Sequence, residues 1–108
     1  MTLPRVIIDR SALQNNYSKI KQKHPHGKVM VVIKAEAYGH GMCQVAAALS
    51  SADAFAVSDV CELKALRDQH ITNDIVVLCG VASVADMEYC LQQRACVVIH
   101  SQHQIEFL

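Results

Sequence analysis

The 108-residue sequence predicts an α/β fold built on a parallel sheet, on three observations. Apolar runs that fit buried strands recur about every 21 to 25 residues, the period of a βα unit. Between them lie segments with helix-start signals and helical spacing of apolar side chains. Hydrophobic residues make up 52% of the chain, yet aromatics only 5% and Trp is absent, so the core is aliphatic. Such a core suits strands buried between helices better than an immunoglobulin-like sandwich.

The elements follow in order. Arg5 to Asp9, with β-branched Val6, Ile7 and Ile8, reads as a short strand. Ser11 is the expected cap of a helix to about Lys23, with Leu13, Tyr17 and Ile20 on one face. The turn His24-Pro25-His26-Gly27 stops it. Val29 to Ile33 is a continuous apolar run, expected to be buried on both faces. An Ala-rich helix from about Met42 to Ser50 follows Gly39-His40-Gly41, and Ala54 to Val57 is the next strand. Ser58 or Asp59 opens a helix to about Gln69, with Asp59 and Glu62 as first-turn charges favoured by the helix dipole. Ile75 to Leu78 is another buried strand. Ser83 with Asp86 opens a helix to about Arg94, and Cys96 to Ile99 is the last strand. Ser101 with Gln104 marks one more helix start close to Leu108, which predicts a piece of a longer fold. This alternation implies right-handed crossovers, in either a doubly wound sheet or a (β/α) barrel.

Composition narrows the partners. Ten Lys and Arg balance ten Asp and Glu, which argues against bulk nucleic acid or an anionic membrane. The longest apolar stretch, Ile75 to Ala82, is broken by Gly80 and falls short of the ~20 residues of a membrane span. Pro4, Arg5, Asp9 and Arg10 leave no room for a signal-peptide core. Cys43, Cys61, Cys79, Cys90 and Cys96 are irregularly spaced, with no Cys-x-x-Cys pair. They read as free thiols in a reducing compartment, so a cytoplasmic protein without a metal site is expected. Neither His24 with His26 nor His100 with His103 has a third ligand nearby in sequence. His100, at a strand end, is a candidate site-lining residue, and a reactive thiol at Cys43 is a second minor candidate.

One segment carries chemistry: Lys34-Ala35-Glu36-Ala37-Tyr38-Gly39-His40-Gly41, directly after a buried strand. In βα folds the carboxyl ends of the strands are where active sites assemble. Apolar surroundings desolvate an amine and free it as a nucleophile, which suits Schiff-base chemistry and attachment of pyridoxal phosphate. The competing account is a lysine reaching out to solvent from a strand end. Gly39 and Gly41 permit close approach of backbone to a ligand and open a helix, whose amino terminus favours phosphate. From there Tyr38 is placed to donate to a phosphate oxygen, unless its ring simply closes the rim of the fold.

This octapeptide closely resembles the pyridoxal-phosphate attachment motif of alanine racemases, usually Lys-Ala-Asn-Ala-Tyr-Gly-His-Gly. Seven of eight positions agree, and the departure is Glu36 for Asn, which adds a negative charge beside the cofactor site. Arg5 to Asp9 with Leu13, Asn16 and Tyr17 matches the family's opening. Phe55-Ala56-Val57-Ser58 with Glu62 and Leu66, and Ile75 to Gly80, resemble its second and third barrel strands. The resemblance covers nearly the whole chain, but only the amino-terminal part of a family member.

The resemblance implies a partial (β/α)8 TIM barrel of about four βα units, parallel strands inside and helices outside. Residues 11–108 would be the first half of the barrel. Residues 1–10 would hold a strand that pairs with a separate β-rich domain. Lys34 would be catalytic, holding pyridoxal 5'-phosphate and acting as one of two acid/base groups at the substrate α-carbon. Tyr38 would bind the cofactor phosphate, and Leu78 would line the cofactor ring. The second acid/base group would be a tyrosine from the β-rich domain of a partner subunit. The implied activity is interconversion of L-alanine and D-alanine, which supplies bacterial cell walls, with this chain expected to be inactive alone. Two alternatives stand beside it: a related pyridoxal-phosphate barrel protein (another amino-acid racemase, a decarboxylase relative or a cofactor-homeostasis protein), and a non-catalytic fragment. The Tyr-Gly-His-Gly continuation favours the racemase. A half barrel leaves two strand edges open, which predicts a homodimer or higher oligomer.

Overall fold

A computed structural model describes residues 3–108. Four parallel strands form one sheet in the order β1-β2-β3-β4: β1 Met30–Val32, β2 Ala54–Val57, β3 Asp74–Val77 and β4 Cys96–Val97. Helix α1 (Arg10–Lys23) precedes them, and a short turn α2 (Lys34–Tyr38) and helix α3 (Met42–Ala48) link β1 to β2. Helices α4 (Val60–Asp68), α5 (Val84–Gln92) and α6 (Gln102–Ile105) follow β2, β3 and β4 in turn. Spatial order equal to chain order, with no reversal, is the winding of a barrel rather than of a doubly wound sheet.

Register explains which face is core. Val31, Phe55 and Ile75 pair across three strands, as do Val57, Val77 and Val97. Phe55, Val57, Ile75 and Val77 are buried, together with Leu63 and Leu66 of α4 and Met87 and Cys90 of α5. The alternate row, Val32, Ala56, Val76 and Cys96, faces the other way. On that side Ala56 is buried, but Met30 and Val32 are 46% and 40% exposed and Cys96 is exposed. The Val29–Ile33 run is therefore covered on one face, not on both, because the helices lie on a single side of the sheet. Strand spacing thus stands as read from the sequence, whereas β4 is only two residues long instead of spanning Cys96 to Ile99.

Caps follow the sequence signals with one shift. Asp9, not Ser11, is the cap of α1, its carboxylate accepting from the Ala12 amide at 3.0 Å. Asp59, Ser83 and Ser101 cap α4, α5 and α6 through the amides of Glu62, Asp86 and Gln104. Residues 3–9 form no strand: the Arg5–Asp9 segment has no pairing partner in this sheet, and extended backbone needs one to become a strand. Met1 and Thr2, which open the expected 1–10 segment, lie outside the described residues.

Long-range side-chain bonds tie the loops down. Arg67 donates to the carbonyls of Ile71, Asn73 and Gln93, and Asn73 donates to those of Ser50 and Ala52. Asp53 accepts from the Val29 amide at 2.6 Å and from Lys21 Nζ at 2.9 Å. Gly80, at φ +73°, is packed so closely that a Cβ there would collide with the Gln104 amide and come within 2.7 Å of the Val98 carbonyl. Gln104 itself is buried and accepts from the His100 amide while donating toward the carbonyls of Cys79 and Val81.

The turn α2 has the opposite hand from the other helices. Ala35, Glu36, Ala37 and Tyr38 have φ of 53°, 57°, 54° and 57°. Left-handed helix disfavours side-chain-bearing residues by about 1–2 kcal/mol each. Removing the Cβ of exposed Ala35 relieves that strain, although glycine is more flexible in the unfolded chain. Ala35→Gly is therefore expected to leave stability unchanged or raise it by about 1 kcal/mol in urea unfolding, whereas a right-handed turn would lose about 1 kcal/mol.

A second prediction concerns pH. The Val29 amide, and then Lys21, hold the Asp53 carboxyl below its ordinary value of 3.8. A carboxyl depressed in the folded state stabilises above its unfolded value and loses that contribution as pH falls through the folded one. Urea midpoints should therefore decline below about pH 3.8, and Asp53→Asn should remove that part of the decline. Asp53 in turn raises Lys21 above 10.5, so the same pair weakens again as pH rises beyond that value.

Candidate active site

Lys34 stands where β1 leaves the sheet. Ile33 still makes a ladder bond, its amide donating to the Ala56 carbonyl at 2.9 Å. After Lys34, residues Ala35 to Tyr38 wind left-handed, closed by the Ala37 amide on the Ile33 carbonyl at 2.9 Å. The Glu36 carbonyl then accepts from the amides of Gly39 and Gly41, at 3.1 and 2.8 Å. Gly39 and Gly41, at φ +93° and +88°, carry the chain out of the turn into α3. The strand end thus becomes a pedestal for Lys34, which is partly buried and forms no salt bridge among the described residues.

Two carboxylates brace this pedestal. Glu62, on the first turn of α4, accepts from the Ala35 amide at 2.8 Å and from the Ser58 amide at 2.7 Å. The sequence marks Glu62 only as a favourable first-turn charge; its reach across to the lysine turn is a tertiary contact with no local signature. Glu36 accepts from the Met42 amide at 3.2 Å and so covers the start of α3. The expected phosphate position at that helix terminus is therefore taken by the protein's own carboxylate, at the one residue departing from the family motif.

Tyr38 lies at the end of the same turn with its side chain 65% exposed, so its phenol is presented outward instead of closing the rim of the core. Leu78 follows β3; its amide donates to the Val57 carbonyl at 2.8 Å, and it is partly buried. Strand alternation sets Ser58, Leu78 and Val98 one step beyond the Val32–Ala56–Val76–Cys96 row, on the face away from the helices. Lys34 continues β1 at the same level, at the carboxyl edge of the sheet. A cleft of about 420 Å³ beside the turn is lined by Val6, Ile8, Glu36, Gly39, His40, Gly41, Cys43 and Gln44. Its lining includes none of Lys34, Tyr38 and Leu78.

The lesser candidates have structural roles. His100 Nε2 lies 3.0 Å from the Cys79 carbonyl and 3.2 Å from the Gln104 amide nitrogen, bracing the loops after β3 and β4. His40 Nδ1 lies 2.9 Å from the Ala37 carbonyl, at the exit of the left-handed turn. Burial, and then the Glu36 charge, push the Cys43 thiol up, which opposes a nucleophilic thiolate. No group of three metal-ligating side chains occurs among the described residues.

The chemistry of the donors can be set against pyridoxal phosphate. An amine that forms no salt bridge among the described residues suits its aldehyde, and the exposed Tyr38 phenol suits its phosphate. The start of α3 does not suit the phosphate, because the Glu36 carboxylate lies there.

Known proteins place this arrangement. The family described as alanine racemase, N-terminal domain, matches residues 8–108. The chain is 42% identical over 102 residues to an alanine racemase of Acinetobacter baumannii (strain SDF), covering 94% of this chain and 28% of that protein. It is 43% identical over 106 residues to one of Thioalkalivibrio sulfidiphilus, covering 96% and 29%. Among solved structures, alanine racemase from Acinetobacter baumannii superposes with a TM-score of 0.89 at 38% identity, over 94% of this chain and 28% of that one. The biosynthetic alanine racemase from Pseudomonas aeruginosa gives 0.85 at 35% identity, over 93% and 28%. The chain thus spans less than a third of the length of these relatives, and its four βα units correspond to the amino-terminal α/β part of their barrel. By sequence over residues 8–108 and by fold, the chain belongs to the alanine racemase N-terminal domain family.

Proposed function

We propose that this chain is the lysine-bearing part of an alanine racemase that interconverts L-alanine and D-alanine with pyridoxal 5'-phosphate. The observation that carries this reading is Lys34 itself: an amine that forms no salt bridge among the described residues, before a left-handed turn at the carboxyl edge of parallel strands. Lys34 would hold the cofactor covalently, Tyr38 would donate its phenol hydrogen to the phosphate, and Leu78 would supply apolar surface beside the ring. When bound, the cofactor supplies an electron sink for the pair left on a substrate α-carbon. The Lys34 amine would act as the acid/base group that removes or returns a proton on one side of that carbon. Inversion needs a second acid/base group on the opposite side. That group would come from a β-rich domain of a partner subunit, with which residues 1–10 would pair.

Open edges at β1 and β4 and the bare row with Met30, Val32 and Val98 support assembly with further sheet, either more of the same protein or a second copy. The irregularly spaced free thiols support a reducing, cytoplasmic setting. No helix among the described residues is long and apolar enough to cross a membrane.

The test is covalent capture. After incubation with pyridoxal phosphate and reduction with borohydride, peptide mapping should find the pyridoxyl label on Lys34 in preference to Lys19, Lys21, Lys23, Lys28 and Lys64. Lys34→Ala should abolish that site while leaving sporadic surface labelling. Uniform labelling of all lysines would overturn the assignment. The chain alone should show no conversion of L-alanine to D-alanine, and light scattering should report a dimer or larger species; a dilute-to-concentrated monomer would contradict the latter.

A further inference from the structure

The end of the β1–β2 ladder is missing a rung. Because Val32 pairs with Ala56, Ile33 stands opposite Val57, and its amide donates to the Ala56 carbonyl. The next bond of a parallel ladder would run from the Ser58 amide to the Ile33 carbonyl. That carbonyl instead accepts the Ala37 amide and closes the left-handed turn. The Ser58 amide is served by one oxygen of Glu62, at 2.7 Å. The other oxygen, at 2.8 Å, takes the amide of Ala35, the peptide immediately after Lys34. Glu62 is itself set in the first turn of α4, its amide held by Asp59 at 3.0 Å.

We infer that Glu62 is a positioning residue for Lys34. Its carboxylate replaces the lost rung and fixes the lysine peptide against the end of β2, so that the amine is presented from a rigid support. The inference deepens the proposed function and rests on Lys34 being the cofactor lysine. It needs both oxygens as acceptors, because two backbone donors converge on them. An amide side chain of the same shape has one acceptor and one donor. It can serve Ala35 or Ser58, but not both.

Glu62→Gln in the 108-residue chain tests this with two readouts. Amide hydrogen exchange at Ala35 or at Ser58, whichever the single remaining acceptor leaves unserved, should quicken about tenfold relative to the β2 core amides, the size expected from one lost hydrogen bond. The pyridoxal phosphate concentration giving half-maximal borohydride-trapped label on Lys34 should rise about tenfold, with the other lysines unchanged. Unchanged exchange at both amides overturns the inference. Faster exchange with unchanged Lys34 labelling reduces Glu62 to a structural brace and also overturns it. A wild-type chain that never labels Lys34 overturns the cofactor reading instead, and with it the positioning role, while the exchange result still reports the brace. If Glu62→Gln does not fold, Glu62→Asp decides. It keeps both oxygens on a shorter stem and should fall between the two, and wild-type labelling in an Asp variant that has lost both protections overturns the proposal.

Discussion

Side-chain-bearing residues do not remain left-handed for a whole turn unless hydrogen bonds hold them there, and here the holding starts with one carbonyl. Ile33 gives its oxygen to the Ala37 amide rather than to β2. That exchange turns the chain away from the sheet, sets Lys34 at its edge and leaves Ser58 needing another acceptor. Glu62 supplies it and braces the turn at the same time. Glu36 closes the far side through Met42. The lysine is therefore presented by a network of backbone amides and two carboxylates, not by the strand alone.

Much of this was legible in the sequence, for reasons that differ by residue. Strands such as Ala54–Val57 showed themselves because they bury a run of apolar side chains, and Ser83 and Ser101 because capping is local. Lys34 and Tyr38 stood out through the motif around them. The hand of the turn was hidden: Ala35 and Ala37 are good right-handed helix formers, and only tertiary bonds impose the opposite sense. Glu62 was visible as a helix-start charge, while its second role depends on a partner 27 residues away. The Arg5–Asp9 segment looked like a strand because its residues favour extended backbone, but propensity does not supply a neighbour to pair with.

The two faces of the sheet divide the labour of the fold. Phe55, Val57, Ile75 and Val77 fasten the helices, while the row through Val32 and Val76 lies on the opposite side. The alternation of the strands thereby separates two surfaces: one residue in two anchors the helix layer, and the other lies on the face whose row Lys34 continues. Gly80 and Gln104 secure the corresponding loops after β3 and β4, so the carboxyl edge is bound by polar contacts at several strands and not only at the first.

The long sequence separation of the Glu62 contact also bears on time. The left-handed turn cannot act as a folding nucleus, because an acceptor for one of its leading amides arrives only with α4. Contacts of this kind form after the elements that carry them have met. In a chain emerging from the ribosome, Lys34 would pass through the exit tunnel well before its support, and would acquire its final setting only once β2 and α4 had docked. The Lys34 turn thus takes its final form late, after the elements that brace it have come together.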